Sequence, residues 1–292
     1  MGTPEISIVI PCKNEGINIF NTVSSIPEAP TDLTFEVLVI DDGSTDGCCR
    51  FLQEKVWRQK VHLINSGGVG ACRARNQGAY SAQAEYLLFC DAHIFVQPFW
   101  LDHLVECFTG PEIGIVSPAI TSSSDKHAVG YGMTLTEDFG VRWLPHPDGI
   151  SSALIAPGGC AMVKRSVFLQ LGGFDEGLRI WGHEDVELSL RYWLLGYRVL
   201  INPNVEVAHI FRKSHPYQVS MDHIYYNYLR IGLSHFNAER IKKILRLIKP
   251  HPQMEEILCK IMLSDIWNRR KKLLSIRRLD DDTLFNMFKV PF

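Results

Sequence analysis

The sequence predicts an α/β fold: a mostly parallel sheet flanked by helices, with a helical extension at the C-terminal end. Four short runs, Ile6 to Ile10, Phe35 to Ile40, Val61 to Ile64 and Tyr86 to Cys90, alternate with polar turns and helix-like stretches, which is the rhythm of strand–crossover–strand units. These runs are apolar nearly throughout instead of alternating, which suits strands covered by helices on both faces, as in a doubly wound sheet. In such sheets ligands collect beyond the C-terminal ends of the strands. The turns that follow the runs are therefore where chemistry is expected.

The chain has 292 residues, 46% of them apolar, and a formal net charge of −2. That allows a sizeable core and offers no global field to recruit nucleic acid. No uninterrupted apolar run approaches the roughly 18–20 residues that span a bilayer, which argues against an integral membrane protein. Met1 to Glu5 shows no basic leader, so no secretory signal is expected. Cys12, Cys48, Cys49, Cys72, Cys90, Cys107, Cys160 and Cys259 lack paired Cys-x-x-Cys spacing. Neither a zinc site nor a disulfide framework is indicated, and reduced thiols in a cytoplasmic setting are expected.

After Ser117 the pattern turns to Ser, Gly and aromatic residues through Leu154, including Thr121 to Ser124, and reads as loop or hairpin. A second structured block runs from Pro157 to about Tyr217. From Ala238 the chain is helical and basic, with Ile241, Ile244, Leu245 and Ile248 on one face. The organisation expected is a main unit over 1–220, with halves at about 1–120 and 121–220, and a basic helical extension over 221–292.

The run ending at Ile40 leads into Asp41-Asp42-Gly43-Ser44-Thr45-Asp46. A carboxylate there can accept from a base N–H or a ribose hydroxyl, or the segment is only an Asp-Gly turn with Asp46 near a helix cap. Ser66-Gly67-Gly68-Val69-Gly70 opens a helix-like stretch holding Arg73, Arg75 and Asn76. Glycines such as Gly68 before a helix let backbone N–H groups approach phosphate, and the arginines add a diphosphate partner. Asp91-Ala92-His93 follows the fourth run, where Asp91 and His93 can reach one hard or borderline cation such as manganese or magnesium; alternatively Asp91 caps a turn and His93 packs on Ile94. His209 closes the strand-like Val205 to Ala208 and offers a third ligand, next to the cationic pair Arg212-Lys213. In Trp181-Gly182-His183-Glu184-Asp185 the acidic pair falls at the start of the helix-like Val186 to Leu195. Glu184 and Asp185 complement the helix dipole there, or serve as general base and sugar-hydroxyl acceptor beside the apolar face of Trp181.

In this order the segments resemble the GT-A glycosyltransferases over about residues 5 to 217. The N-terminal half is most similar to family 2, and Asp91-Ala92-His93, Trp181 to Asp185 and His209 to Tyr217 are similar to the polypeptide N-acetylgalactosaminyltransferases. The resemblance implies a UDP-sugar donor and a divalent metal, Mn2+ or Mg2+, held by Asp91, His93 and His209. It puts Arg212 and Tyr217 on the diphosphate side, Pro11, Cys12, Glu15, Asp42 and Arg75 at the uridine, Ala92 and Asp91 on the donor, and Gly158 and Gly159 beside its sugar. Where those retaining enzymes carry asparagine this chain has Asp185, as inverting relatives do, which implies inversion with Asp185 as base. The Asp-Ala-His motif with Trp100 also looks like the bacterial peptide S- and O-glycosyltransferases that modify bacteriocins, cytoplasmic enzymes acting on cysteine or serine. The expected acceptor is a peptide Cys, Ser or Thr side chain; a polysaccharide or glycolipid acceptor, and a non-catalytic nucleotide-sugar binder, are the alternatives. The basic extension could meet an acidic acceptor, an anionic membrane surface or a second subunit, or be a solvated helical face.

Overall fold

A computed structural model describes residues 2–212 and 214–292. In chain order β1 (Ile6–Cys12), α1 (Asn18–Glu28), β2 (Phe35–Asp41), α2 (Lys55–Arg58), β3 (Val61–Asn65), α3 (Ala71–Ser81) and β4 (Tyr86–Cys90) build the first half. β1 pairs in parallel with β2 and β4, and β2 with β3, so each apolar run is a strand. Alternate residues feed two cores: Val9, Leu38, Ile40, Leu87 and Phe89 on one face, Ile8, Ile10, Val37, Val39 and Leu88 on the other. With both faces of β1, β2 and β4 covered, most side chains of these strands are apolar, which explains the nearly continuous runs.

Next come β5 (Ile94–Phe95), α4 (Trp100–Val105), β6 (Ile113–Ser122), β7 (Asp125–Gly130), β8 (Met133–Leu135), β9 (Val141–Trp143), β10 (Ser151–Ser152), β11 (Cys160–Lys164), α5 (Arg165–Gln170), α6 (Glu184–Leu194) and β12 (Arg198–His209). The main sheet runs β10-β12-β6-β11-β4-β1-β2-β3, with β11 antiparallel to β4 and β6. The segment read as loop after Ser117 differs: β6 continues to Ser122 and all its residues are buried. Its hydroxyls are satisfied across the sheet, Ser117 Oγ donating to the Cys160 carbonyl at 2.7 Å and Thr121 Oγ1 to Glu206 at 3.0 Å. A polar residue with a cross-strand partner can sit in a central strand, and composition does not reveal the partner. Hairpins do follow, β6 with β7 and β8 with β9.

The C-terminal helices are α7 (Met221–His235), α8 (Ala238–Ile248), α9 (Met254–Met262), α10 (Ile266–Ile276) and α11 (Asp281–Met287). Helix therefore begins at Met221, ahead of the Ala238 start. Ile244 and Ile248 are buried in the same core as Val9 and Phe89, with Ile241 and Leu245 packed against it. Some of the arginines are turned inward, while Lys242, Lys243, Arg246, Lys249, Lys260, Lys271 and Lys272 stay exposed. Arg269 pairs with Asp175 and Glu187, Arg270 donates to the Leu233 and Phe236 carbonyls, and Arg240 pairs with Asp281 and Asp282. Among the described residues no helix is long and apolar enough to cross a membrane.

Glu187, fully buried on α6, receives Arg191 Nε at 3.0 Å, His235 Nε2 at 2.9 Å and Arg269. It ties the helix that starts with Glu184 and Asp185 to α7 and α10. Glu187→Ala leaves the buried Arg191 without its carboxylate and His235 without its acceptor, and about 3–5 kcal/mol of unfolding free energy is expected to be lost. Urea unfolding checks this, and a change below 1 kcal/mol would show that the network is not what holds the helices together.

Candidate active site

Asp91 stands one residue past β4, and β5 begins three residues after it at Ile94. β5 pairs antiparallel with the end of β12, where His209 faces Ile94. That pairing brings His209 to the Asp91-x-His93 pair. His209 Nε2 lies 3.2 Å from Asp91 Oδ2, His93 Nε2 lies 4.0 Å from the same oxygen, and the two imidazoles are in edge contact at 4.6 Å. One ligand atom from each of the three residues falls within 4.8 Å of the others. A carboxylate with two imidazoles suits a divalent ion of the manganese type. Gly159 leaves room on this side: a Cβ there would stand 3.2 Å from His209 Cδ2 and 3.8 Å from Asp91 Oδ2. Burial would raise the Asp91 carboxyl, but the His209 hydrogen bond and the charges of His93 and Arg75 hold it well below the ordinary range.

Glu15 is buried behind the trio, its Oε2 3.1 Å from His93 Nδ1, and Arg212 pairs with the same carboxylate. Arg212 Nη2 lies 3.1 Å from the same Nδ1, so the Glu15–Arg212 pair backs the ring on the side away from Asp91, the kind of outer contact that orients a metal ligand. Glu15→Ala is expected to weaken Mn2+ binding by about 10–100-fold, read by calorimetric titration; unchanged affinity would make Glu15 a bystander. Lys213, of the predicted cationic pair, lies outside the described residues.

Arg75 on α3 joins two halves of the site, donating from Nη2 to Asp91 Oδ1 at 3.1 Å and from Nη1 to Glu184 Oε1 at 3.2 Å. Glu184 also accepts from the Gly182 amide at 2.9 Å. Asp185 accepts from the Gly158 amide at 3.0 Å and from Val186 at 2.8 Å. Despite these donors, burial and the neighbouring Glu184 carboxylate push Asp185 up to about 6. Gly158 packs on Asp185 as Gly159 packs on His209, a Cβ at 158 falling 3.3 Å from Asp185 Oδ2. The two glycines therefore run between the acidic pair and the Asp-His-His trio.

The predicted nucleotide residues line the strand ends beside this cluster. Asp42 accepts from Ser66 Oγ at 2.7 Å, Val69 N at 2.6 Å and Gly70 N at 3.0 Å, so its carboxylate braces the glycine turn before α3. Gly68 closes on Gly43, where a Cβ would meet the Gly68 amide nitrogen at 3.2 Å, and both have positive φ. Pro11 and Cys12 end β1 opposite Ile40 and Asp41. Ala92 is buried. Trp181 packs against His215 at 4.3 Å, and His215 against Tyr217 at 5.5 Å. Burial, then the Glu184 and Asp91 carboxylates, push the Tyr217 hydroxyl up.

Sequence reasoning missed Asn227. Buried in α7, it accepts from the Arg179 amide at 2.7 Å and donates to the Arg179 and Gly182 carbonyls at 3.0 and 2.9 Å. That holds the loop carrying Trp181 while Ile180 sits at φ 39° and His183 at 65°, conformations costly for side chains of this size. An asparagine in mid-helix carries no pattern that would have found it.

This combination of sheet, glycine turn and ligand trio places the chain among the GT-A glycosyltransferases. Residues 7–172 match the model of glycosyl transferase family 2, and the chain belongs to that family. Residues 151–216 match a second model, described as the N-terminal domain of galactosyltransferase. The chain is 34% identical over 226 residues to polypeptide N-acetylgalactosaminyltransferase 8 of Drosophila melanogaster, covering 72% of this chain and 38% of that protein. It is 30% identical over 274 residues to polypeptide N-acetylgalactosaminyltransferase 11 of Xenopus tropicalis, covering 85% and 45%. It thus spans less than half the length of these relatives. The structure of GalNAc-T7 with UDP, GalNAc and Mn2+ superimposes with a TM-score of 0.78 at 21% identity, covering 99% of this chain and 57% of that one. The mannosyltransferase of Pyrobaculum calidifontis with GDP-Man and Mn2+ does so at 0.57 and 19% identity, covering 94% and 74%.

Proposed function

We propose that the chain is a metal-dependent transferase that moves a sugar from a uridine diphosphate donor to a peptide Cys, Ser or Thr side chain with inversion, residues 1–220 forming its catalytic part. The observation that carries this reading is the Gly158–Gly159 backbone, with Asp185 on one glycine and Asp91 and His209 on the other. A donor sugar against these glycines has a base on one side and the diphosphate-binding trio on the other, as a single displacement needs. UDP and Mn2+ in the GalNAc-T7 structure support the donor and ion, and the polypeptide transferases among the relatives support the acceptor.

In this reading Asp185 takes the proton from the acceptor hydroxyl or thiol as that atom bonds to the anomeric carbon and the bond to the diphosphate breaks. A divalent ion, when bound, neutralises charge on the departing diphosphate. Asp91, His93 and His209 would hold that ion, with Glu15 orienting His93. Arg212 and Tyr217 would meet the diphosphate, and Trp181 would offer a face to the acceptor. Arg75 keeps Asp91 and Glu184 in place.

The test is transfer from a panel of nucleotide sugars to a Cys-, Ser- and Thr-containing peptide library, plus and minus Mn2+, with product anomers assigned by NMR. Metal-dependent, inverted glycopeptide is the expected product. Donor hydrolysis without glycopeptide would move the acceptor to a glycan or lipid, and a retained anomer would remove Asp185 from the role of base.

A further inference from the structure

The fold assembles a second cluster of metal-binding atoms, away from the Asp91 trio. Cys12 ends β1 in register with Asp41 at the end of β2, and the loop that leaves β2 turns back through Gly47, at φ 75°, to set Cys48 and Cys49 beneath the end of β1. Cys12 Sγ lies 3.6 Å from Cys48 Sγ and 3.5 Å from Cys49 Sγ, and those two are 3.8 Å apart. Three sulfurs each about 2.3 Å from a tetrahedral zinc stand about 3.8 Å from one another, so the trio already approximates one face of a thiolate tetrahedron.

The surroundings are those of a site as well as of a core. Cys12 and Cys49 are buried while Cys48 is partly exposed, which leaves a path for an ion. Asp46 stands two residues before Cys48 in the same turn, with its carboxylate on the Cys48 amide, so an oxygen donor lies on the loop for a fourth position. Asp46 is itself held, accepting from the Gly16 amide at 2.9 Å and the Cys48 amide at 2.9 Å. A lone buried cysteine is ordinary packing. Three in mutual contact beside a carboxylate form a soft donor set, the kind that selects thiophilic cations.

We propose that Cys12, Cys48 and Cys49 bind one thiophilic divalent cation, zinc or its close analogues, as thiolates that release their protons to solvent on binding. The ion would clip the Pro11–Glu15 turn to the Asp41–Asp46 turn, which already meet where Asn14 Oδ1 accepts from the Thr45 amide at 2.8 Å. It is separate from the ion assigned to Asp91, His93 and His209, and the test keeps the two apart.

Reduced, chelator-treated protein is titrated with Cd2+, whose thiolate complexes absorb in the near ultraviolet whereas carboxylate and imidazole complexes do not. The expected result is a sulfur-to-metal band that saturates at one equivalent, is displaced by Zn2+, and survives in Asp91→Ala and Cys259→Ser. Cys48→Ser and Cys49→Ser should each lose the band, with circular dichroism confirming that they fold. No band in the wild type, a band undiminished in both serine variants, or two thiols found oxidised in protein that carries no metal would each overturn the proposal.

Discussion

Asp185→Asn is expected to lower kcat by about 10²–10⁴-fold, with Mn2+ affinity and donor KM little changed. The amide keeps an oxygen for the Gly158 or Val186 amide but cannot accept the acceptor's proton. The pH profile separates this from a structural loss. Burial and Glu184 hold Asp185 at about 6 instead of its ordinary 3.8, so wild-type kcat/KM should rise with pH through about 6 as the base ionises, and this limb should be missing in Asp185→Asn. The stability consequence has the opposite sense. A raised carboxylate pKa favours the protonated folded form, so stability falls as pH rises from about 4 to about 6 and the asparagine variant, spared that cost, is not expected to unfold earlier at neutral pH. Unchanged kcat in Asp185→Asn would assign the base elsewhere and remove the main support for inversion.

What could be read from the sequence follows from how local each feature is. Strands β1, β2 and β4 were legible because both of their faces are covered, which writes a strand as a nearly unbroken apolar run; β3, at the sheet edge with His62 exposed, carries the weaker pattern. The acidic pair at the start of α6 and the glycine turn before α3 were legible because helix starts have local chemistry. His209 could be named as a candidate but not placed, since its meeting with Asp91 depends on the antiparallel pairing of β5 with β12. The end of β6 was hidden because residues after Ser117, Thr121 among them, read as loop until a partner such as Glu206 is known. The same limit hid the thiol trio: no Cys-x-x-Cys spacing exists, and it is the β1–β2 register that brings Cys12 to Cys48 and Cys49. Charge counting also could not sort the basic extension: Arg269 pairs with Glu187 and Asp175, whereas Lys242, Lys243, Lys271 and Lys272 stay exposed.

Asp91→Ala should have the other large effect, because Asp91 is both a ligand candidate and the partner of Arg75. Losing a metal that supplies several kcal/mol of charge stabilisation corresponds to a fall in kcat of about 10³-fold or more. The residual rate should no longer respond to Mn2+. A binding readout isolates the cause: Mn2+ should raise the Tm of the wild type, as any ligand of the folded state does, and leave Asp91→Ala unmoved. Without metal the variant is also expected to be less stable than the wild type at neutral pH. The His209 hydrogen bond and the His93 and Arg75 charges outweigh burial and depress the Asp91 pKa, so its carboxylate contributes stability above its unfolded value that is lost only as pH falls through the folded one. Alanine forfeits that contribution and leaves the buried Arg75 with Glu184 as its ion-pair partner among the described residues. Asp91→Asn distinguishes the two roles, since it keeps the side-chain shape and one oxygen towards Arg75 while giving up the anionic ligand. If the asparagine variant regains stability but stays insensitive to Mn2+, Asp91 acts on the ion directly; if it regains both, an oxygen at this position suffices for Arg75 and the ion alike, and the carboxylate's charge is needed for neither.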